Sequence, residues 1–388
     1  MAVLLDNPVR SYAWGSPTVI PELLGRAPSG QPEAELWVGA HPGSPSTVVG
    51  DGRPLSALIE ADPDATLGAA VVGRFGPRLP FLLKVLAVER PLSIQVHPTI
   101  AQAAEGYDAE DAAGLALDDP RRSYHDRNHK PEMAVAVTPF DALVGFDDPA
   151  SVAASLEPSE HADLAGAAAV LRESDGLERL VRRWLTLDDA AATQIVTALT
   201  AEASARRDDP RFALVHRLAE VYPHDRGLLL ALLLRHHTLA PGEAVFVPAG
   251  VPHAYLSGVA VEPQASSDNT LRAGLTAKHV DAREVLRILR YEPGGAVAVT
   301  PVPAGPGLER YPVPGIDELG LSRVRLTAGA AVPVPGPLLV LVVEGTAAVD
   351  GVTLARGRAA FVPAAESGAT LTGDGVAYTL TTALDQAR

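Results

Sequence analysis

The 388-residue chain has no cysteine, which excludes disulfides, thiolate metal sites and a cysteine nucleophile. It has almost no lysine: Lys84, Lys130 and Lys278 are the only three among 32 basic residues. Arginine serves as the general surface cation in such a composition. A lysine that survives is either chance or the mark of a place where a compact ammonium is needed and a planar guanidinium does not substitute, and the positions of the three decide between these. A basic stripe is also missing. The net charge of −15 has the wrong sign for a nucleic-acid or membrane-surface binder. The longest apolar run, Leu228 to Leu234, is far shorter than the roughly 20 residues that cross a bilayer. The opening MAVLLDNPVRSYAWG has no basic segment followed by an apolar one, so no signal peptide is expected. A soluble, cytoplasmic protein is the expectation, with no nucleic-acid or membrane partner.

With 47% hydrophobic residues the chain can build a sizeable core, and its length predicts two or three domains. From Met1 to about Asp147, short β-rich runs such as ELWVGA and MAVAVTPFDALVGF are separated by Gly, Pro and Asp clusters. From Pro149 to about Arg235, Ala/Leu-rich segments with helical spacing take over. Strands then resume, a helix is predicted across Asp281–Arg290, and roughly the last 75 residues are β again. An internal repeat underlies the two β regions. TLAPGEAVFVPA (Thr238–Ala249) and TLARGRAAFVPA (Thr353–Ala364) agree at nine of twelve positions, which predicts two copies of an antiparallel barrel of the jelly-roll kind. His253 aligns with Gly368, so a histidine-dependent site belongs to the first copy.

That site is suggested by VLAVERPLSIQVHPT, Val85–Thr99, which reads as a buried strand running up to a proline. Gln95 and His97 sit two positions apart in it, and residues i and i+2 of a strand point to one face. Glu132, in RNHKPEMAVAV, opens another apolar strand, where a carboxylate is costly unless paired or bound to a cation. His253 follows a Gly-Val-Pro turn at the start of a third. Two imidazoles, a carboxylate and an amide oxygen make an N/O set for a divalent metal. Zn²⁺ is the first choice, and Fe²⁺ or Mn²⁺ also suit these ligands.

The segments PLSIQVHP, NHKPEMAVAVTPFDALVGF, FVPAGVPHAYLSG and SSDNTLRAGLTAKHVD, with NPVRSYAWGS and AELWVGAHPGSPS near the start, resemble the zinc-dependent, cupin-fold phosphomannose isomerases of type I. The resemblance implies a mainly β fold with an α-helical insertion and two cupin barrels, the first metal-binding and the second degenerate. In residue numbers it implies a catalytic cupin from 1–148 and 236–312, a helical insertion at 149–235, and a non-catalytic cupin-like domain at 313–388. It further implies one Zn²⁺ held by Gln95, His97, Glu132 and His253, with Arg272 as the principal catalytic residue. Lys130 and Asp268 join it as catalytic candidates. Lys84, Ser93, Tyr255, Glu262 and Lys278 are implied for substrate binding. The implied reaction interconverts mannose 6-phosphate and fructose 6-phosphate, so the partner is a small phosphorylated sugar, and the family leads us to expect a monomer. Two departures stand out: Ala277 occupies a position usually held by proline, and VEPQA before SSDN keeps the acid at Glu262 but alters its neighbours.

Plainer readings stand beside these. Arg272 could pair with Asp268 merely to hold a turn. His125 and His129 are expected exposed in a polar loop, and His236 and His237 are expected at a helix C-terminus. DDPRRS and ARRDDPR read as solvated turns. Two other functions compete: an Fe²⁺-dependent cupin oxygenase, which uses two histidines and a carboxylate, and a non-enzymatic sugar-binding or storage cupin.

Overall fold

A computed structural model describes residues 1–295, 297–313, 315–366 and 368–385. Its strands form two antiparallel sheets among the described residues. One runs, in spatial order, Val302–Gly305, Leu308–Tyr311, Gly320–Leu326, Thr370–Thr381, Leu338–Val349, Ala359–Val362, Val3–Asp6 and Thr47–Val48. The amino-terminal strand thus extends the carboxy-terminal sheet, with Leu4 opposite Ala360, and Thr47–Val48 forms the edge beyond it. That sheet begins ahead of residue 313, because Val302–Gly305 and Leu308–Tyr311 already belong to it.

The other sheet runs Val297–Val299, Ala244–Val247, Glu132–Ala136, His253–Ala265, Phe81–Val88, Glu35–Gly39 and Val9–Arg10. Its long strand His253–Ala265 changes partners along its length. The half from Gly258 onward pairs with Phe81–Val88 and Glu132–Ala136. The half before it pairs with Phe140–Phe146 and, at His253, with Ile94–Val96. The register shifts between Tyr255 and Ser257, and Gly258 follows with φ +106°, where a Cβ would lie 2.3 Å from the Pro139 carbonyl oxygen. A glycine is therefore required at this bend. The two repeat copies occupy corresponding places in the two sheets: Leu234–Leu239 with Ala244–Val247, and Val352–Ala355 with Ala359–Val362.

Alternation along these strands decides what faces the site. In Phe81–Val88, Leu83, Val85 and Ala87 pack into the core shared between the two sheets with Leu339, Leu341 and Phe361. Leu86 and Val88 face the opposite core, and Lys84 shares their side by period two. Burial of both faces explains why the segment reads as a continuous apolar run rather than an alternating one. In Ile94–Val96, Ile94 and Val96 pack outward into the core of the helical block. Gln95 is thereby turned inward.

That block consists of Pro149–Leu156, Ala162–Leu171, Gly176–Leu185, Asp189–Ala205, Pro210–Val221 and Gly227–Leu233. Asp148, Asp188 and Asp209 each accept a backbone N–H at a helix start, and Pro149 and Pro210 hold first helical positions.

Four expectations need correction. Val85–Thr99 is two strands, Phe81–Val88 and Ile94–Val96. It breaks where the N–H groups of Glu89 and Arg90 donate to the Trp14 carbonyl and Pro91 has no N–H to offer. The first 147 residues contain helices as well as strands, at Val19–Leu23, Leu55–Ala61, Pro63–Leu67, Ala69–Phe75 and Ile100–Ala112. His236 and His237 lie in the strand Leu234–Leu239, where His236 Nε2 stands 3.3 Å from Asp141. Arg122 of DDPRRS is buried, donating to the Tyr124 carbonyl and to Asp111, both at 2.7 Å, and to the Leu115 carbonyl.

Candidate active site

Residues directly opposed on neighbouring antiparallel strands share a face. Gln95 stands opposite His253 on one side and Arg272 on the other. Lys84 stands opposite Glu262 on one side and Trp37 on the other. These rows, with Glu132 at the head of its strand, border a cavity of about 680 Å³. Every site residue expected from the sequence except His97 lines it, and His97 joins through Glu132. All three lysines of the chain line this cavity.

His97, Glu132 and His253 are buried, and one potential ligand atom from each lies within 4.8 Å of the others. His253 Nε2 is 2.9 Å from Glu132 Oε1, and His97 Nε2 is 3.3 Å from Glu132 Oε2. Each ring turns its Nδ1 to a backbone carbonyl, that of Asn269 at 2.8 Å for His97 and that of Val251 at 3.2 Å for His253. A carbonyl only accepts, so Nδ1 carries the hydrogen in both rings and a neutral ring presents a bare Nε2 lone pair to Glu132. Lone pairs facing a carboxylate repel. A divalent cation among them converts that repulsion into coordination, so the donor set fits a metal ion. Gln95 is half-buried in the cavity wall, with its amide nitrogen 3.4 Å from Ser93 Oγ.

Charge and burial tune these groups. Burial and the Lys130 ammonium push His97 down to about 4, which keeps it neutral and able to coordinate at pH 7. Burial favours protonation of Glu132, but Lys130, His97 and His253 outweigh it and hold this carboxyl well below the usual carboxylate range. Lys130 Nζ lies 2.5 Å from Glu132 Oε2 and 3.3 Å from His97 Nε2. Tyr255 donates to Glu132 Oε1 at 3.0 Å, and burial with Glu132 and Glu262 raises its phenol well above the ordinary value. Burial lowers the Lys84 ammonium, yet Glu35, Glu262 and Glu132 outweigh it and raise it above the usual lysine value. Burial, only partly opposed by Lys84 3.2 Å away, pushes Glu262 up to about 7.

Arg272 has no ion pair among the described residues, so the turn-holding pair with Asp268 does not form. Burial lowers its pKa, and the guanidinium still stays cationic. Asp268 stands exposed, 3.6 Å from His41. Lys278 is exposed, its ammonium lowered by desolvation and by Arg272. His125 is exposed as expected, but His129 is not: it is half-buried, with Nε2 2.8 Å from Glu318.

Sequence reasoning missed several lining residues. Trp37 Nε1 donates to Glu35 Oε2 at 2.5 Å, and Lys84 Nζ lies 5.0 Å from the Trp37 ring centroid. Arg10 sits over the same ring at 5.5 Å. The signal available was the i, i+2 placement of Glu35 and Trp37 in ELWVG, the same pattern that singled out Gln95 and His97. Val221 and Tyr222 of the helical block also line the cavity, and nothing in their local sequence separates them from helix-end residues.

An antiparallel β protein with a buried two-histidine, one-carboxylate centre beside lysine and arginine in a single cavity is a metalloenzyme. The chain belongs to the type I phosphomannose isomerases. Residues 3–148 match the family described as phosphomannose isomerase type I, catalytic domain. The chain is 39% identical to mannose-6-phosphate isomerase of Escherichia coli K12 over 96% of its length and 97% of that protein's. It is 33% identical to the Bos taurus enzyme over 92% of each. Among solved structures, mannose 6-phosphate isomerase of Salmonella typhimurium bound to fructose 6-phosphate and zinc superimposes with a TM-score of 0.91 at 37% identity. That match covers 98% of this chain and 99% of the other. A zinc-bound holo form of mannose 6-phosphate isomerase gives 0.89 at the same identity and coverage.

Proposed function

We propose that this chain catalyses the reversible aldose–ketose isomerisation of D-mannose 6-phosphate and D-fructose 6-phosphate at a single zinc site. Family membership supports this reading over an oxygenase or a storage cupin. The observation that carries it is the cross-strand row His253–Gln95–Arg272. It sets a guanidinium with no ion pair among the described residues next to Gln95, with His253 on the other side of that residue, in a cavity holding every lysine of the chain. Six basic groups line that cavity against four acidic ones in a protein of net charge −15, and a sugar phosphate matches that local inversion of charge.

His97, Glu132 and His253, with Gln95 as the fourth ligand, would hold the zinc. When bound, it supplies Lewis-acid stabilisation of negative charge on a substrate oxygen. Isomerisation moves a proton from C2 to C1 and another between O1 and O2, by way of an enediol. Arg272 supplies a fixed positive charge at the oxygens where negative charge develops and cannot act as the base. Glu262, whose carboxyl burial raises above the usual carboxylate value, is suited to take and return a proton. Lys84, paired with Glu35 on one side and Glu262 on the other, holds that carboxyl in place, while Tyr255 donates to Glu132. Lys130 anchors Glu132, while Asp268 and Lys278 at the mouth, with Ser93 in the wall, complete the contacts to the substrate. Residues 1–148 and 236–312 are read as the catalytic cupin barrel, apart from Val3–Asp6, Thr47–Val48, Val302–Gly305 and Leu308–Tyr311, which pair in the carboxy-terminal sheet; 149–235 are read as its helical insertion, and the carboxy-terminal strands as a second, metal-free barrel. The repeat of Thr238–Ala249 in Thr353–Ala364 supports that division. A cytoplasmic monomer completes the reading, on the acidic composition and the family resemblance.

The test is turnover of mannose 6-phosphate to fructose 6-phosphate by the purified protein, before and after chelation, with zinc added back. Activity lost with the metal, restored by zinc and abolished by Arg272→Ala in a folded protein is the expected result. A folded, zinc-loaded protein without turnover refutes the reading.

A further inference from the structure

The helical insertion reaches the cavity at one corner, where Pro210–Val221 ends and Gly227–Leu233 begins. Asp225 in that corner accepts three backbone hydrogen bonds. Oδ1 takes the N–H of Gly227 at 2.6 Å and that of Leu275 at 2.9 Å, and Oδ2 takes the N–H of Thr276 at 2.9 Å. Thr276 Oγ1 in turn accepts the N–H of Lys278 at 3.1 Å. Polar bonds therefore run unbroken from the insertion to the backbone of Lys278 in the cavity wall.

The backbone on both sides is shaped for this contact. His224 and Leu275 adopt left-handed conformations, φ 65° and 53°, which non-glycine residues hold only where their surroundings fix them. A Cβ on Gly227 would lie 2.3 Å from Leu275 N, and one on Gly274 would lie 2.3 Å from Gly227 Cα. Only glycine at both positions lets the two chains approach so closely. The same corner is tied to the segment ahead of Ile94–Val96, where Tyr222 donates its hydroxyl to the Pro91 carbonyl at 2.6 Å. Arg272 does not depend on this arrangement, because it lies within the strand Leu271–Gly274, paired with Ile94–Val96. Thr276 and Lys278 lie past the end of that strand; in its place Thr276 has the bond to Asp225 and Lys278 the bond to Thr276.

We propose that Asp225 is a positioning residue of the active site, holding the Leu275–Lys278 segment of the cavity wall so that Lys278 meets the anionic end of the substrate. This rests on the isomerase reading above. The insertion thereby governs substrate affinity rather than the chemical step.

The experiment is a double-mutant cycle on the zinc-loaded enzyme with mannose 6-phosphate, using Asp225→Asn, Lys278→Ala and the pair. Asn keeps one acceptor oxygen but presents an amide N–H to Thr276 N–H. It removes one backbone bond with little change in volume. The expected result is a KM raised about tenfold, the scale of one lost hydrogen bond to a charged group, with kcat within about twofold of wild type and zinc content unchanged. Lys278→Ala is expected to raise KM, and Asp225→Asn to add less than about twofold on top of it, since both act through one contact. Thr276→Val breaks the chain of bonds outside the insertion and is expected to reproduce the KM effect even if Asp225→Asn folds poorly. Effects that multiply independently, or a fall in kcat with KM unchanged, overturn the proposal. A wild-type protein with no turnover overturns the isomerase reading instead.

Discussion

Glu262→Gln offers a quantitative test of the site's electrostatics. Glu262 is 3% exposed and burial pushes its carboxyl from 4.5 to about 7, with Lys84 pulling the other way and Glu132 adding to the rise. Between these two values the folded protein binds the proton that the unfolded chain has released. Unfolding free energy therefore falls as pH rises through this window. At about 1.4 kcal/mol per pH unit the accumulated loss is about 3 kcal/mol, complete above about pH 7. Glutamine resembles the protonated carboxyl in shape and charge and does not ionise. The variant is expected to match wild type near pH 4.5 and to gain about 3 kcal/mol on it by pH 8. Urea unfolding followed by tryptophan fluorescence, on both proteins stripped of zinc, measures that difference directly. Zinc beside Glu132 adds positive charge and moves the window to lower pH, which a repeat with the metal would register. A difference that stays flat from pH 4.5 to 8, or that grows in favour of wild type, refutes the account.

Arg272→Lys is expected to lower kcat by about 10²–10³-fold, the scale of losing one preorganised charge donor; steady-state kinetics at saturating zinc read it, and a kcat within tenfold of wild type contradicts the role. His253→Ala or His97→Ala should release the metal while the sheets remain, checked by elemental analysis beside circular dichroism. Removing the buried guanidinium by Arg122→Ala strands the Tyr124 and Leu115 carbonyls and is expected to cost about 2–3 kcal/mol, read from urea midpoints; an unchanged midpoint counts against the buried network.

The centre was legible and its surroundings were not, for a physical reason. Polar residues in otherwise apolar strands are costly, so Gln95, His97 and Glu132 stood out by chemistry alone, and strand periodicity told which way they face. Glu35 and Trp37 lie in an equally buried strand, but glutamate and tryptophan near a loop are unremarkable until Lys84 is seen between two carboxylates. Arg122 was unreadable because its burial depends on Asp111 and on two carbonyls, groups brought to it by the helix Ile100–Ala112 and the loop that follows. That helix was itself obscured: its alanines give little amphipathic contrast. Its clearest mark is the capping box formed by Thr99 and Gln102.

The long strand His253–Ala265 explains how residues so distant in sequence become one site. Before its bend it carries His253 and Tyr255 toward Gln95 and Glu132; after the bend it carries Glu262 opposite Lys84. By period two a regular strand would turn His253 and Tyr255 to one face and Glu262, an odd number of residues away, to the other; the register shift between Tyr255 and Ser257 removes that opposition. The bend at Gly258 brings them to one cavity. This makes a further prediction. Gly258→Val drives a Cβ against the Pro139 carbonyl at 2.3 Å, and valine disfavours a φ of +106°. Strain of about 1–3 kcal/mol is expected to relax by straightening the strand. Activity should therefore fall far more than stability does, with zinc bound more weakly as His253 turns away from Glu132. Equal proportional loss of stability, zinc affinity and turnover would mean that the bend only supports the fold and does not assemble the site.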